Sequence, residues 1–318
     1  KGRGKEKTME ISLLLMQQIA QLFLILIMGY AVVKAGLLKA SDSRVLSVVM
    51  VYLVTPCVII NAFQIDDTPE IRKGLLYSMA IAAAIHVVLL VLSALLSRPL
   101  KLDAVEQVNV IYSNAAALVI PLVKALMGDA YVIYSCAFII VQLVLLWTHA
   151  SSLLQGSSAL DWKKVLTNIN MIAIAAGALL YWFRVVLPAP LQNTMSTVGN
   201  MMGPMGMLLA GMAIAEKPLR EVFCTRRNYL PTVLRLVVCP LVVLVLLWVC
   251  HASSWVADGK NILMTVYLAA ITPACATVTS MAQLYDRDAA HSSALYVLTT
   301  LLSIVSMPIM IGLFDLLL

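Results

Sequence analysis

Uninterrupted apolar runs of about 20 residues recur from one end of this chain to the other, each enough to cross roughly 30 Å of hydrocarbon at about 1.5 Å per residue. Ten spans are predicted, over residues 11–33, 45–64, 75–96, 107–127, 131–150, 169–187, 195–215, 229–250, 261–284 and 292–314. The runs are continuously apolar and do not alternate over about ten residues, so they predict helices rather than the strands of a barrel. Short polar connections separate them and leave no room for a soluble domain. The first run is long enough to span and lacks a small-residue cleavage pattern, so it reads as a span and not as a secretion signal. The opening KGRGKEKT belongs to a solvated tail over residues 1–10.

The spans repeat. Gly29 precedes Pro56 by 27 residues, and Gly177 precedes Pro204 by the same 27, which sets spans one and two on spans six and seven at a shift of 177 − 29 = 148. Further on, Pro121 of the fourth span matches Pro273 of the ninth, and Asp129-Ala130 before the fifth matches Asp288-Ala289 before the tenth. The chain then divides into a five-helix repeat over residues 11–150, a cytoplasmic linker over 151–168 and a second five-helix repeat over 169–318. Five is odd, so the second repeat enters the membrane from the opposite side. An inverted repeat of this kind lets the two halves exchange shapes around a central site, which is alternating access.

The stretch SNAAALVIPLVKALMGD, residues 113–129, carries an asparagine, a proline and a lysine within an apolar run. A proline inside a span removes a backbone hydrogen bond, and in hydrocarbon the freed carbonyls need other partners. Pro121 and Pro273, in matching spans, therefore predict two discontinuous helices that meet near the midplane, each proline opening the half-helix that follows it. Two half-helix starts brought together form an anion site without a metal. Asn114 and Lys124 are the candidate side chains for that anion, with Ser113, Thr272 and Asn61 beside them. Each has a plain alternative: Lys124 reaching to the interface, Asn114 joining two helices, Ser113 and Thr272 bonding their own backbone. Arg235 is expected to snorkel from the basic side, and Pro56 and Pro204, with Gly203, Gly206 and Gly211, are expected to serve packing.

Composition agrees: 62% of residues are hydrophobic and 12% charged, against roughly 45–50% apolar in soluble domains. The net charge of +6 does not point to nucleic acid, because the basic residues are scattered through loops. They do set orientation. Lys34, Lys39, Arg44, Arg98, Lys101, Lys163, Lys164, Lys217, Arg220, Arg226, Arg227 and Arg287 fall in alternate loops, whereas Arg72, Lys73, Lys260 and Arg184 fall on the other side. The positive-inside rule then places both termini outside the cytoplasm. The six cysteines form no CxxC pair and His86, His149, His251 and His291 show no ligand spacing, so no metal site and no cofactor are expected. All sixteen acidic residues lie in the tail, loops or span ends, which disfavours a cation exchanger. A Walker loop, a GxSxG elbow and an HExxH pair are all missing, so no enzyme is expected.

SNAAALVIPLVKALMGD and AITPACATVTSMAQLYD together resemble the auxin efflux carrier family, whose plant PIN members share the Asn-(six residues)-Pro-Leu-x-Lys pattern; GNMMGPMGMLLAGMAIA is similar to the seventh-span signature. The resemblance implies a ten-helix fold akin to bile-acid symporters and sodium/proton antiporters. In that fold spans 1, 2, 6 and 7 form a scaffold, spans 3–5 and 8–10 a transport domain, and the fourth and ninth helices cross at their prolines. It also implies an organic anion bound beside Asn114, Pro121, Lys124 and Pro273, and a homodimer through the scaffold. The short linker departs from the long central loop of plant members and points to a bacterial-type relative that carries a small carboxylate. The overall expectation is an all-α carrier in the cytoplasmic membrane whose partners are an organic anion and lipid. A sensor or scaffold without turnover, and a cation or proton exchanger, are the alternatives.

Overall fold

The computed structural model describes residues 20–318 except 22, 65–67, 157–166, 168, 216–218 and 257. The expected tail and most of the expected linker fall outside these. The described elements are α1 (Phe23–Lys34), α2 (Ala40–Ala62), α3 (Pro69–Ser97), α4 (Ala104–Ile111), α5 (Ala115–Met127), α6 (Ala130–Gln155), α7 (Ile169–Trp182), α8 (Ala189–Ile214), α9 (Leu219–Cys224), α10 (Arg226–Val249), α11 (Gly259–Ile271), α12 (Ala276–Leu284) and α13 (Ala289–Leu317). Six of them, α2, α3, α6, α8, α10 and α13, are long and apolar enough to cross a bilayer, and α1, α7 and α11 are shorter apolar helices. The apolar runs at 107–127 and 261–284 are each met by two helices, α4 with α5 and α11 with α12. Among the described residues the only strand-type pairing is an isolated antiparallel bridge between Ser113 and Ala274.

Local chemistry starts several of these helices. Thr68 caps α3 by accepting from the Ile71 N–H, with Pro69 in the first turn where its missing N–H costs nothing. Asp103 and Glu106 form a reciprocal capping box at α4. Asp288 accepts from the His291 N–H at the start of α13. Three spans carry a single π-helical turn, at Met50–Val54, Leu146–Ala150 and Leu234–Val238, an irregularity that re-aims the side chains around it.

Small residues decide how α1, α2, α7 and α8 pack. A Cβ on Gly29 would sit 2.2 Å from the Leu208 carbonyl oxygen, and one on Gly211 would sit 2.0 Å from the Leu26 oxygen, so α1 and α8 touch backbone to backbone. A Cβ on Gly177 would sit 2.3 Å from the Phe63 ring, which packs α7 on the end of α2. The shift of 148 that carries Gly29 onto Gly177 holds at the level of helices: α1 packs on α8, and its counterpart α7 packs on α2. The packing role expected for Gly211 is thus met by a backbone contact.

The molecule has two distinct ends. On one, Arg44 pairs with Asp286, Arg227 reaches the Leu100 and Lys101 carbonyls, and the Arg287 Nε–H donates to the Leu154 carbonyl, so basic loops distant in sequence share a face. At the other, Tyr131 donates to Asp258, Tyr77 to the Ala252 carbonyl, and Gln64 accepts from the Leu187 N–H. Between them α3–α6 and α10–α13 share one large core that includes Ile85, Tyr112, Phe138, Tyr267 and Phe314. A second core joins Leu26, Met207 and Ile214 to Ala276 and Tyr296.

Candidate functional site

The two helix breaks meet. Tyr112, at the end of α4, and Thr272, at the end of α11, are both extended, the conformation a residue before proline favours in the case of Thr272. The Asn114 N–H donates to the Pro273 carbonyl at 2.8 Å, and the Cys275 N–H donates to the Tyr112 carbonyl at 3.1 Å, making one rung of antiparallel sheet inside a helical bundle. Pro273, with no N–H to offer, supplies only an acceptor there, which suits its place in the rung.

Several other polar groups at the breaks are met by side chains from neighbouring helices. Gln142 of α6 accepts from both the N–H and the hydroxyl of Ser113, at 3.0 and 2.7 Å, and returns a bond to the Ser113 carbonyl at 2.8 Å. The Thr299 hydroxyl of α13 accepts from the Ala274 N–H at 3.1 Å. Tyr112 donates to the Leu145 carbonyl and its hydroxyl also meets His149 Nδ1.

Arg235, in the π-turn of α10, completes the arrangement. Only 1% exposed, its guanidinium donates to the carbonyls of Val110 and Ile111 at the end of α4, and to those of Ala270 and Thr272 at the end of α11. These are the carbonyls that a helix C-terminus leaves without partners. The snorkelling expected of Arg235 is therefore corrected: its head turns inward, because two helix ends offer it more than interfacial water does.

The charge balance that results is set by four helix ends and Arg235. Each helix end carries roughly half an elementary charge, so two C-termini bring about −1 to the crossing and two N-termini, of α5 and α12, bring about +1. Arg235 offsets the first pair and leaves the second. The crossing is thereby a site with positive character built from backbone N–H groups, with no carboxylate among the described residues that form it.

The fourth span breaks earlier than its proline suggests. The break lies at residues 112–114, and Pro121 sits at the seventh position of α5, inside a helix. Pro273 likewise does not open its half-helix but precedes Cys275, which caps α12. The residue that faces Pro273 across the crossing is Asn114, and the bridge pairs Ser113 with Ala274. The break falls where it does because Ser113 and Asn114 find partners in Gln142 and Pro273, whereas a proline carried within α5 forfeits one intrahelical bond.

Of the expected site residues, Ser113, Asn114, Thr272 and Pro273 are brought together, the first three 1%, 3% and 0% exposed. The Thr272 hydroxyl bonds the Ala269 carbonyl of its own helix. Lys124 stands ten residues after Asn114 on the same helix, a rise of about 15 Å; its side chain, like that of Pro121, lies outside the described residues. Asn61 is half-buried near the end of α2, and its carbonyl accepts from Gln64. Sequence reasoning missed Gln142, Thr299 and Arg235. An amide and a guanidinium within otherwise apolar spans are the signal that marks two of them.

On the basic face beside α4, a buried carboxylate meets a partly exposed arginine. Arg227 holds both oxygens of Glu106 at 2.6 Å, and His291 Nε2 stands 3.7 Å away. Burial pulls the Glu106 carboxyl up, but the nearby His291 ring and the two bonds from Arg227 outweigh it and hold the group at about 2, below its usual 4.5. Since folding lowers this pKa, the carboxylate's contribution is complete above about 4.5 and lost as pH falls through about 2. The melting temperature in detergent is expected to drop between those values, by an increment that Glu106→Gln abolishes; an unchanged profile in that variant would remove Glu106 as the cause.

No match to a curated protein was found. A family model matches the chain twice, from residue 14 to residue 311. Together with the apolar helices, that match makes this a multi-pass membrane transporter: the chain belongs to the membrane transport protein family, the auxin efflux carrier domain, whose model matches residues 14–160 and again 157–311.

Proposed function

We propose that this transporter carries a small organic anion, a carboxylate, by alternating access, and that the anion binds at the crossing of the two broken helices. The observation that supports this most is the pairing of Arg235 with both C-termini, which leaves two helix N-termini to face an anion. Asn114, buried with its Nδ2 lacking a partner, is the side chain that presents a donor to it. Lys124 of α5 is proposed, with Asn114, as a contact of the carboxylate. The shift-by-148 exchange of packing partners supports two inverted five-helix repeats.

In this reading α1, α2, α7 and α8 are the scaffold, and the broken helices move with α3, α6, α10 and α13. The two groups are joined on the basic-loop side by Arg44 with Asp286, Ser293 with the Ala210 carbonyl, and Ser280 with the Met50 sulfur. A thioether is a weak acceptor, so separating such contacts costs little. The positive-inside rule makes the basic face cytoplasmic and puts the termini on the other side of the cytoplasmic membrane.

Counterflow in proteoliposomes tests the proposal, with labelled L-malate as a dianion and labelled phenylacetate as a monoanion. Exchange of at least one is expected, reduced roughly tenfold or more in Asn114→Ala through loss of a hydrogen bond to a charged group. Binding without exchange would indicate a sensor. Sodium- or pH-driven cation flux with no organic substrate would indicate an exchanger.

A further inference from the structure

Three polar groups near the crossing converge without satisfying one another. The Tyr296 hydroxyl of α13 is flanked by Asn114 and Thr300, yet Asn114 Nδ2 and Thr300 Oγ1 are both buried without a hydrogen-bond partner. Asn114 and Thr300 are each 3% exposed and Tyr296 is 0% exposed. A buried polar atom left unpaired costs free energy, and native interiors rarely tolerate it. Two such atoms beside one hydroxyl mark a place where an acceptor from outside the chain belongs.

The Tyr296 hydroxyl does have a partner, and the partner is a poor one. It donates to the sulfur of Met207 on α8, and a thioether is among the weakest acceptors a protein offers. Beside it Gly206 brings α8 close enough that a Cβ there would meet the Ala276 Cβ at 3.0 Å, at the start of α12. The scaffold helix α8 thus lies directly over the triad and over one of the two N-termini. While that contact holds, the Tyr296 proton is committed to Met207.

We propose that Asn114, Tyr296 and Thr300 form the donor seat for the carboxylate, and that Met207 is an internal competitor that occupies the Tyr296 hydroxyl when the seat is empty. This rests on the carrier reading above and adds two things to it: the tenth-span residues that select an oxyanion, and the link between binding and movement. An incoming carboxylate exchanges one weak O–H···S contact for hydrogen bonds from a phenol, an alcohol and an amide. The same exchange frees the transport helices from α8, so loading the seat and loosening the scaffold become one event. Tyr296 and Thr300 act on specificity by touching substrate, whereas Met207 acts through Tyr296 and is a positioning residue.

The two kinds of residue predict effects of opposite sign. Binding of L-malate and of phenylacetate to the full-length protein in detergent is measured by calorimetry, with the melting temperature of each ligand-free variant as a control for folding. Tyr296→Phe keeps the ring and is expected to weaken whichever probe binds by roughly tenfold to a hundredfold, the range for a hydrogen bond to a charged group. Thr300→Val is expected to weaken it by a similar factor. Met207→Leu, similar in volume but without an acceptor, is expected to tighten it by about threefold to tenfold, since it removes the competitor. Equal affinity in Tyr296→Phe and wild type, or weaker binding in Met207→Leu at an unchanged melting temperature, would overturn the proposal while leaving the carrier reading intact. If Tyr296→Phe fails to fold, the Thr300→Val and Met207→Leu pair decides the matter by the same signs. Failure of the wild type to bind either probe, or to exchange it, would instead strike the carrier reading.

Discussion

Arg235→Met should be the most damaging single substitution in this protein, lowering stability by about 3–5 kcal/mol, the range for removing one partner from a buried charged set. Methionine approximates the stem of arginine, so packing changes little while the carbonyls of Val110, Ile111, Ala270 and Thr272 lose their shared donor. Each unpaired buried group costs about 1–3 kcal/mol; relaxation keeps the total below their sum. Charge is lost as well, so the two C-termini are no longer offset and the crossing repels the anion it is proposed to hold. Arg235→Lys separates the two effects. It keeps the charge, but an ammonium has three donors on one atom and cannot reproduce the planar fork that serves both helix ends. Thermal unfolding in detergent, alongside counterflow, should rank wild type above lysine and lysine above methionine in both assays. A methionine variant that melts with the wild type would mean that the helix ends do not depend on this guanidinium.

Gly211→Val ranks second. The first added carbon would lie 2.0 Å from the Leu26 oxygen and 2.9 Å from the Tyr30 nitrogen, and neither can move without shifting the whole of α1. Overpacking costs about 1–3 kcal/mol where side chains can yield, and here the obstacle is backbone, so a loss of about 3 kcal/mol or more is expected. Gly312→Ala is the matched control, because a Cβ at Gly312 meets nothing within 4 Å and alanine favours the helix. Its melting temperature should be equal to the wild type or slightly higher. If Gly211→Val were equally benign, the close approach of α1 and α8 would not be a feature of the folded protein.

Much of the architecture is legible from residue order. A long apolar run has one economical conformation in hydrocarbon, because only a helix meets all its own backbone polar groups, so the all-helical class follows directly from the sequence. The alternation of basic loops is legible for a similar reason: charge stays in water on whichever side it is held. The matched Gly29 and Gly177 are readable too, since a residue without a Cβ is needed where a backbone or a ring comes this close.

The break in the fourth span was not legible in the same way. Pro121 announces an interruption that α5 absorbs, while Tyr112, Ser113 and Asn114 open because Pro273, Cys275 and Gln142 supply partners from far along the chain. Arg235 makes the same point more sharply, since its acceptors include Val110 and Ile111, removed from it by 125 and 124 residues. By itself the sequence determined that the apolar segments are helices and that two of them carry prolines at similar places. Tertiary structure alone decided where those two open and what fills the gap. The physical reason is that the fillers are backbone carbonyls and N–H groups, which nearly every residue possesses and no residue name distinguishes.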